Sequence, residues 1–218
     1  MTPAARLGVL GGTFDPIHVG HVAAASAARR ALALDRVLLM PTHVPPHRSV
    51  QPQASPFHRF AMAALAAQAD PAFAASDLEL QAPGPTYTST TLARLEGCGY
   101  SPLQIFFITG ADAFADIETW RDYPSLLDHG HFVVISRPGR PAAALRHELP
   151  ALAARMVDAG TAVPSVASIL LVEASTPDVS STAIRRKACE DGDLDGLVPP
   201  AVAAHIHRYG LYSGRSVA

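Results

Sequence analysis

Lysine is nearly missing from this chain: Lys187 is the only one. That scarcity all but excludes Schiff-base chemistry and a Walker-type lysine, so any phosphate must be met by arginine, histidine or backbone amides. Cysteine is scarce too. Cys98 and Cys189 stand alone and far apart, which excludes a disulfide framework and a cysteine metal site. Long apolar runs are missing. Runs such as Ile105–Ile108 and Phe132–Ile135 are strand-sized and too short to span a bilayer. No basic run stands out and the net charge is −2, so a nucleic-acid footprint is not expected. The chain enters a strand almost at once, leaving no room for a signal peptide, and a cytoplasmic protein is expected. With 218 residues, 49% apolar and 17% charged, one core and a single domain over 1–218 is the expectation.

What is present is concentrated in one run, Gly11-Gly12-Thr13-Phe14-Asp15-Pro16-Ile17-His18-Val19-Gly20-His21. It follows the strand-like stretch Leu7–Leu10 and precedes the Ala-rich, helix-favouring stretch Val22–Leu34. A helix start carries free backbone N–H groups that favour an anion. The two glycines let the chain approach a ligand closely. His18 and His21, three apart, share one face of the first helical turn. Three readings fit the histidine pair: a phosphate clamp, a zinc site, or plain packing and capping. Zinc would need a further ligand, and the pattern is not His-Glu-x-x-His. The Gly11-Gly12-Thr13 run in front favours the clamp. The glycines do not match Gly-x-Gly-x-x-Gly, and Asp35 precedes the second strand instead of ending it, so NAD-dependent oxidoreduction is disfavoured.

Strand-like and helix-like segments alternate along the chain. Strands are expected at Leu7–Leu10, Arg36–Met40, Ser76–Leu80, Leu103–Ile108, His131–Ile135 and Ser168–Val172. Helices are expected at Val19–Leu34, from Pro56 to about Ala69 behind a Ser55 cap, within Tyr87–Glu96, over Ala113–Asp128 with a break near Pro124, over Thr182–Asp191, and over Pro200–Tyr209. The second helix places Phe57, Phe60, Ala61 and Leu65 on one apolar stripe. Ala142–Gly160 reads as helical or irregular. This alternation indicates a doubly wound α/β fold with a mostly parallel sheet. Ligands of such sheets bind at the carboxyl ends of the strands. The polar, chemically able residues fall there: Gly11–His21, His43–Arg48, Thr86–Thr88, Gly110–Asp112, Arg137 and Ser180–Arg185.

Ser180-Ser181-Thr182 reads as an ordinary helix cap, but Arg185 one turn later adds a fork that suits phosphate. Trp120, the only tryptophan, is either core or a platform for a flat ligand. These segments, taken in order, resemble the nicotinate-nucleotide adenylyltransferases of bacteria, within the His-x-Gly-His nucleotidyltransferases. The resemblance rests on the first motif, Val44-Pro45-Pro46-His47-Arg48, Pro85-Thr86-Tyr87-Thr88, Gly110-Ala111-Asp112, Thr119-Trp120, Ser136-Arg137-Pro138-Gly139, Ser180 to Arg185, and the tail Leu197 to Tyr212. It covers nearly the whole chain.

The resemblance implies a Rossmann-like nucleotidyltransferase fold and transfer of AMP from ATP to nicotinate mononucleotide. The products would be deamido-NAD and pyrophosphate, with Mg²⁺ accompanying ATP. It implies ATP-binding roles for Gly11, Gly12, Thr13, Phe14, His18, His21, Gly110, Asp112, Ser180, Ser181, Thr182 and Arg185. Of these, His18, His21 and Arg185 would act in catalysis. His47, Arg48, Tyr87, Thr88, Trp120 and Arg137 would surround the acceptor. Composition and run lengths lead us to expect no nucleic-acid or membrane partner; no resident protein-bound metal is expected, and a homodimer is left open. Three positions depart from the family pattern: Arg48 stands where lysine is common, Thr86 where serine is usual, and Thr90 where an acid is usual. The rival readings are a sister transferase with another phosphate acceptor, such as nicotinamide mononucleotide, and a non-catalytic nucleotide-binding protein.

Overall fold

The computed structural model describes residues 5–44, 51–82, 84–160 and 162–213. Its frame is one seven-stranded sheet in which every pairing is parallel. In chain order the strands are β1 (Leu7–Gly12), β2 (Arg36–Pro41), β3 (Phe73–Ala75), β4 (Ile105–Gly110), β5 (His131–Ile135), β6 (Met156–Asp158) and β7 (Ile169–Val172). The helices are α1 (Val19–Leu32), α2 (Pro56–Ala66), α3 (Thr88–Gly97), α4 (Ala111–Phe114), α5 (Leu145–Glu148), α6 (Ser181–Cys189) and α7 (Pro200–Arg208). The strand order is β3-β2-β1-β4-β5-β7-β6. The chain therefore winds outward in both directions from β1 and β4. Between those two strands lies the switch point where such sheets open a crevice.

Both faces of the sheet are covered, so the central strands are apolar on both sides. Side chains alternate with the two-residue period of a strand. Leu10, Phe106, Ile108, Val133, Leu170 and Val172 enter the core beneath α1, α2, α6 and α7. Val9, Phe107, Phe132, Val134 and Leu171 enter the core on the α3 and α4 side. In α1, Gly20, Ala25, Ala27, Ala28 and Leu32 are buried, and small side chains let the helix lie close to the strands. Its last turn carries Arg29 and Arg30, favourable at the negative end of the helix dipole. α2 begins as the sequence indicates, with Ser55 Oγ accepting from His58 N at 3.3 Å and Pro56 in the first turn.

Several expectations need correction. Ser76–Leu80 is not a strand: β3 is the preceding Phe73–Ala75, Ser76 and Asp77 are irregular, and Leu78–Leu80 form a turn. β6 lies inside the segment read as helical or irregular. Ala113–Asp128 is not one long helix. α4 ends at Phe114, short 3-10 turns cover Ile117–Thr119 and Ser125–Asp128, and Asp122 takes a left-handed φ of 65° just before Pro124. The buried face of α2 is Arg59, Met62, Ala63 and Ala66, whereas Phe57 is 86% exposed. An arginine holds the centre of that face because three loop carbonyls wait behind it.

Candidate active site

The carboxyl ends of β1 and β4 open into a cavity of about 540 Å³. Gly11, Gly12, Thr13 and His21 line it from the first motif, and Gly110 and Asp112 from the end of β4. Thr86, Tyr87 and Thr88 approach from the start of α3, Trp120 and Arg121 from the turn after α4, and Arg137 from the end of β5. One pocket thus gathers ten of the expected site residues: Gly11, Gly12, Thr13, His21, Gly110, Asp112, Tyr87, Thr88, Trp120 and Arg137. His47 and Arg48 lie outside the described residues.

The histidine pair is built by close packing. His18 is the cap residue of α1, and its backbone N–H donates to His21 Nδ1 at 3.2 Å. That bond makes Nδ1 the acceptor, so the ring proton of neutral His21 sits on Nε2. The two rings stack with centroids 3.7 Å apart, and the edge of Phe14 meets His21 at 5.0 Å. Phe14 is itself 1% exposed, so its ring supports His21 from the core and does not face the cavity. His18 is also buried, and its Nδ1 has no hydrogen-bond partner among the described residues. Burial lowers its pKa to about 4, with the Arg137 charge adding to the effect, so the ring is neutral near pH 7. Gly20 is required by this packing. A Cβ there would lie 3.1 Å from the His18 ring and 3.2 Å from the Pro177 carbonyl oxygen.

The last motif is bolted to the first. Ser181 Oγ donates to the Pro16 carbonyl at 2.9 Å, and Arg185 donates to the Asp15 carbonyl at 2.7 Å. Ser180 Oγ caps α6 by accepting from Ala183 N at 3.2 Å, and Arg185 also reaches Thr182 Oγ1 at 3.3 Å. Ser180, Ser181, Thr182 and Arg185 therefore stand beside the first motif but do not line the cavity itself. On the acceptor side, Arg121 lies over the Tyr87 ring at 4.6 Å, and Trp120 packs edge-on against Phe107 and Phe132. Arg137 pairs with Asp112 at 3.6 Å across the mouth of β4. A Cβ on Gly110 would collide with the Asp112 carboxylate and crowd Arg137, so glycine keeps that passage open.

Four residues escaped the sequence reading. Asp15, 3% exposed, accepts from Gln53 N at 2.9 Å, Ala54 N at 3.0 Å and Tyr212 Oη at 2.9 Å. Its carboxylate, with burial as the larger cause, pushes the Tyr212 phenol strongly up. Arg59 donates to the carbonyls of Thr13 at 2.9 Å, Thr42 at 2.6 Å and His43 at 3.1 Å, fixing the two loops that follow β1 and β2. Glu79 is buried in the cavity wall. The only signal available was polarity in the wrong place: a charge in the middle of an apolar stripe, and an acid in a motif of small residues. The Thr86 departure is absorbed, because its Oγ1 accepts from His43 N at 3.2 Å as a serine hydroxyl would. Thr90 sits on the exposed side of α3.

Residues 9–187 match the family described as cytidylyltransferase-like. A probable nicotinate-nucleotide adenylyltransferase of a Roseiflexus species is 43% identical over 96% of this chain and 98% of its own. One from Thermus thermophilus is 39% identical, covering 95% and 99%. Among solved structures, Plasmodium falciparum nicotinic acid mononucleotide adenylyltransferase complexed with NaAD superposes with a TM-score of 0.73. It is 17% identical and covers 95% of this chain and 97% of its own, a likeness of fold. Identity near 40% over almost full length, on the fold and motifs described above, means that the chain belongs to the nicotinate-nucleotide adenylyltransferase family.

Proposed function

We propose that the protein transfers AMP from ATP to nicotinate mononucleotide, releasing pyrophosphate and forming deamido-NAD, a step of NAD biosynthesis. The observation that carries this reading is the single cavity at the switch point. It joins a glycine-lined phosphate end, at Gly11–Thr13 and His21, to an aromatic end at Tyr87 and Trp120. Two polyanions, one of them carrying a pyridine ring to be held opposite the adenosine, need both ends.

In this reading a 5′-phosphate oxygen of the mononucleotide attacks the α-phosphorus of ATP. The new P–O bond replaces the bond to pyrophosphate, which leaves with its electron pair. The attacking oxygen is already anionic, so no protein base is needed, and no nucleophilic side chain beside a base calls for a covalent intermediate. The protein's task is alignment and charge stabilisation. His21 Nε2–H serves as a fixed donor to the α-phosphate, with His18 behind it; one such donor is worth about 3–4 kcal/mol. Gly11, Gly12 and Thr13 give backbone amides to the triphosphate, Arg185 and the start of α6 flank it, and Gly110 and Asp112 adjoin the adenosine. Trp120, Tyr87, Thr88 and Arg137 hold the acceptor. Among the described residues, no three His, Cys, Asp or Glu side chains cluster as a metal cage. Mg²⁺ would come with the phosphates of ATP and would supply charge neutralisation for the departing pyrophosphate.

The test is pyrophosphate release from ATP and Mg²⁺ with nicotinate mononucleotide. Release that falls at least about a hundredfold in His21→Ala supports the reading. No release, or release indifferent to His21, refutes it.

A further inference from the structure

The phosphate chemistry leaves a buried ionisable group in the cavity wall without a task. Glu79 sits in the turn between β3 and α3 and lines the cavity together with Thr86, Tyr87, Thr88 and Trp120. It is 5% exposed. One carboxyl oxygen, Oε1, accepts from Thr91 Oγ1 of α3 at 2.7 Å. The other, Oε2, is buried and has no hydrogen-bond partner among the described residues. A buried carboxylate with an unsatisfied oxygen is disfavoured; a neutral carboxylic acid is tolerated far better. Burial accordingly raises the Glu79 pKa to about 7, against the opposing pull of the Thr91 and Thr42 hydroxyls and the Arg94 charge. The carboxyl therefore changes charge within the working range of a cell, just behind the wall that meets the acceptor.

We propose that Glu79 determines specificity in the acceptor pocket: uncharged, it admits a mononucleotide whose ring bears a carboxylate, and charged, it repels that carboxylate while leaving a ring amide unaffected. This rests on the reading of the cavity as a pyridine mononucleotide site. The warrant is Coulombic. Two like charges across a poorly hydrated wall interact far more strongly than in bulk water, and no contact is required. By linkage, a bound nicotinate carboxylate must raise the Glu79 pKa further, so the acid acceptor binds with proton uptake once the pH exceeds about 7. The other charged or titratable groups facing this region are Tyr87 and Arg94 on the α3 side, Asp112 and Asp116 after β4, Arg121, Arg137 after β5, and His21 on α1. All of them are shared by both acceptors, as is the 5′-phosphate.

The selectivity ratio isolates Glu79, because titrations common to both acceptors cancel. We measure kcat/KM for nicotinate and for nicotinamide mononucleotide across pH, in the native protein and in Glu79→Gln, which keeps an acceptor for Thr91. The acid-to-amide ratio should fall roughly tenfold between about pH 6 and about pH 8.5 in the native protein and stay level in the variant. A level ratio in the native protein, or the same fall in the variant, overturns the proposal. Should Glu79→Gln fail to fold, carboxyl ¹³C NMR of the native protein decides instead. The Glu79 titration must lie higher with bound nicotinate mononucleotide than with the bound amide, since the two share the pyridinium and 5′-phosphate charges; equal midpoints overturn the proposal. Absence of turnover with both mononucleotides would strike the functional reading alone, and the ¹³C titration would still judge Glu79.

Discussion

Replacing Arg59 with methionine should damage both stability and turnover, although Arg59 does not itself line the cavity. Its guanidinium is 1% exposed and holds the carbonyls of Thr13, Thr42 and His43 at 2.9, 2.6 and 3.1 Å. Hydrogen bonds to a charged group contribute about 1.5–3 kcal/mol each. Three of them cannot simply be summed, because burying the cation has its own desolvation penalty. The Asp15 carboxylate offsets that penalty in part, while burial pulls the Arg59 pKa down. A net loss of about 3–5 kcal/mol follows, the range for breaking a buried charged network. In a chain of this size that is a drop in Tm of roughly 10 °C. Methionine keeps much of the packing, so the loss reports on the hydrogen bonds. Thr13 and Thr42 both line the cavity, and releasing their carbonyls loosens the phosphate end. A displacement near 1 Å there should lower kcat by about a hundredfold. Thermal melting and pyrophosphate release on the same sample check both effects. A variant that melts within about 2 °C of the native protein and turns over normally would refute the reasoning.

Other outcomes follow from the same geometry. Gly20→Ala should reduce kcat by at least about tenfold with Tm lowered only modestly, since its Cβ pushes on the His18 ring and the Pro177 carbonyl; unchanged steady-state kinetics would contradict this. Trp120→Ala should raise KM for the mononucleotide more than KM for ATP, and equal shifts would make Trp120 purely structural. His18 should show no NMR titration near pH 6.5, with its midpoint at about 4. The sign follows from linkage: a histidine whose folded pKa is depressed binds its proton later than the unfolded chain does. Its contribution to stability is therefore full above about pH 6.5 and is lost as pH falls toward about 4. A His18 midpoint near 6.5 would contradict the buried, stacked ring.

Much of this arrangement is legible from residue patterns, and the limits have physical causes. β1, β2, β4, β5 and β7 are short apolar runs closed by turn or cap residues, a local signal. The clustering of polar residues at strand ends follows from the topology of parallel sheets, which is why Gly11, Gly110, Tyr87 and Arg137 could be assembled before any coordinates. Arg59 was missed because periodicity counts apolar residues and reads a charge as solvent-facing; here the charge is the buried one, and the phenylalanine of the expected stripe is outside. β6 was missed because an edge strand of three residues carries little pattern. Asp15, Tyr212 and Arg185 join positions as much as 197 residues apart, and nothing local announces such a junction.

The most direct test of the account offers both mononucleotides together, in equal amounts, with ATP and Mg²⁺, and identifies the dinucleotide products by mass. Deamido-NAD as the dominant product, formed with one pyrophosphate per turnover, is the expected result. NAD as the dominant product, or no dinucleotide at all, would contradict the assignment of this pocket to nicotinate mononucleotide.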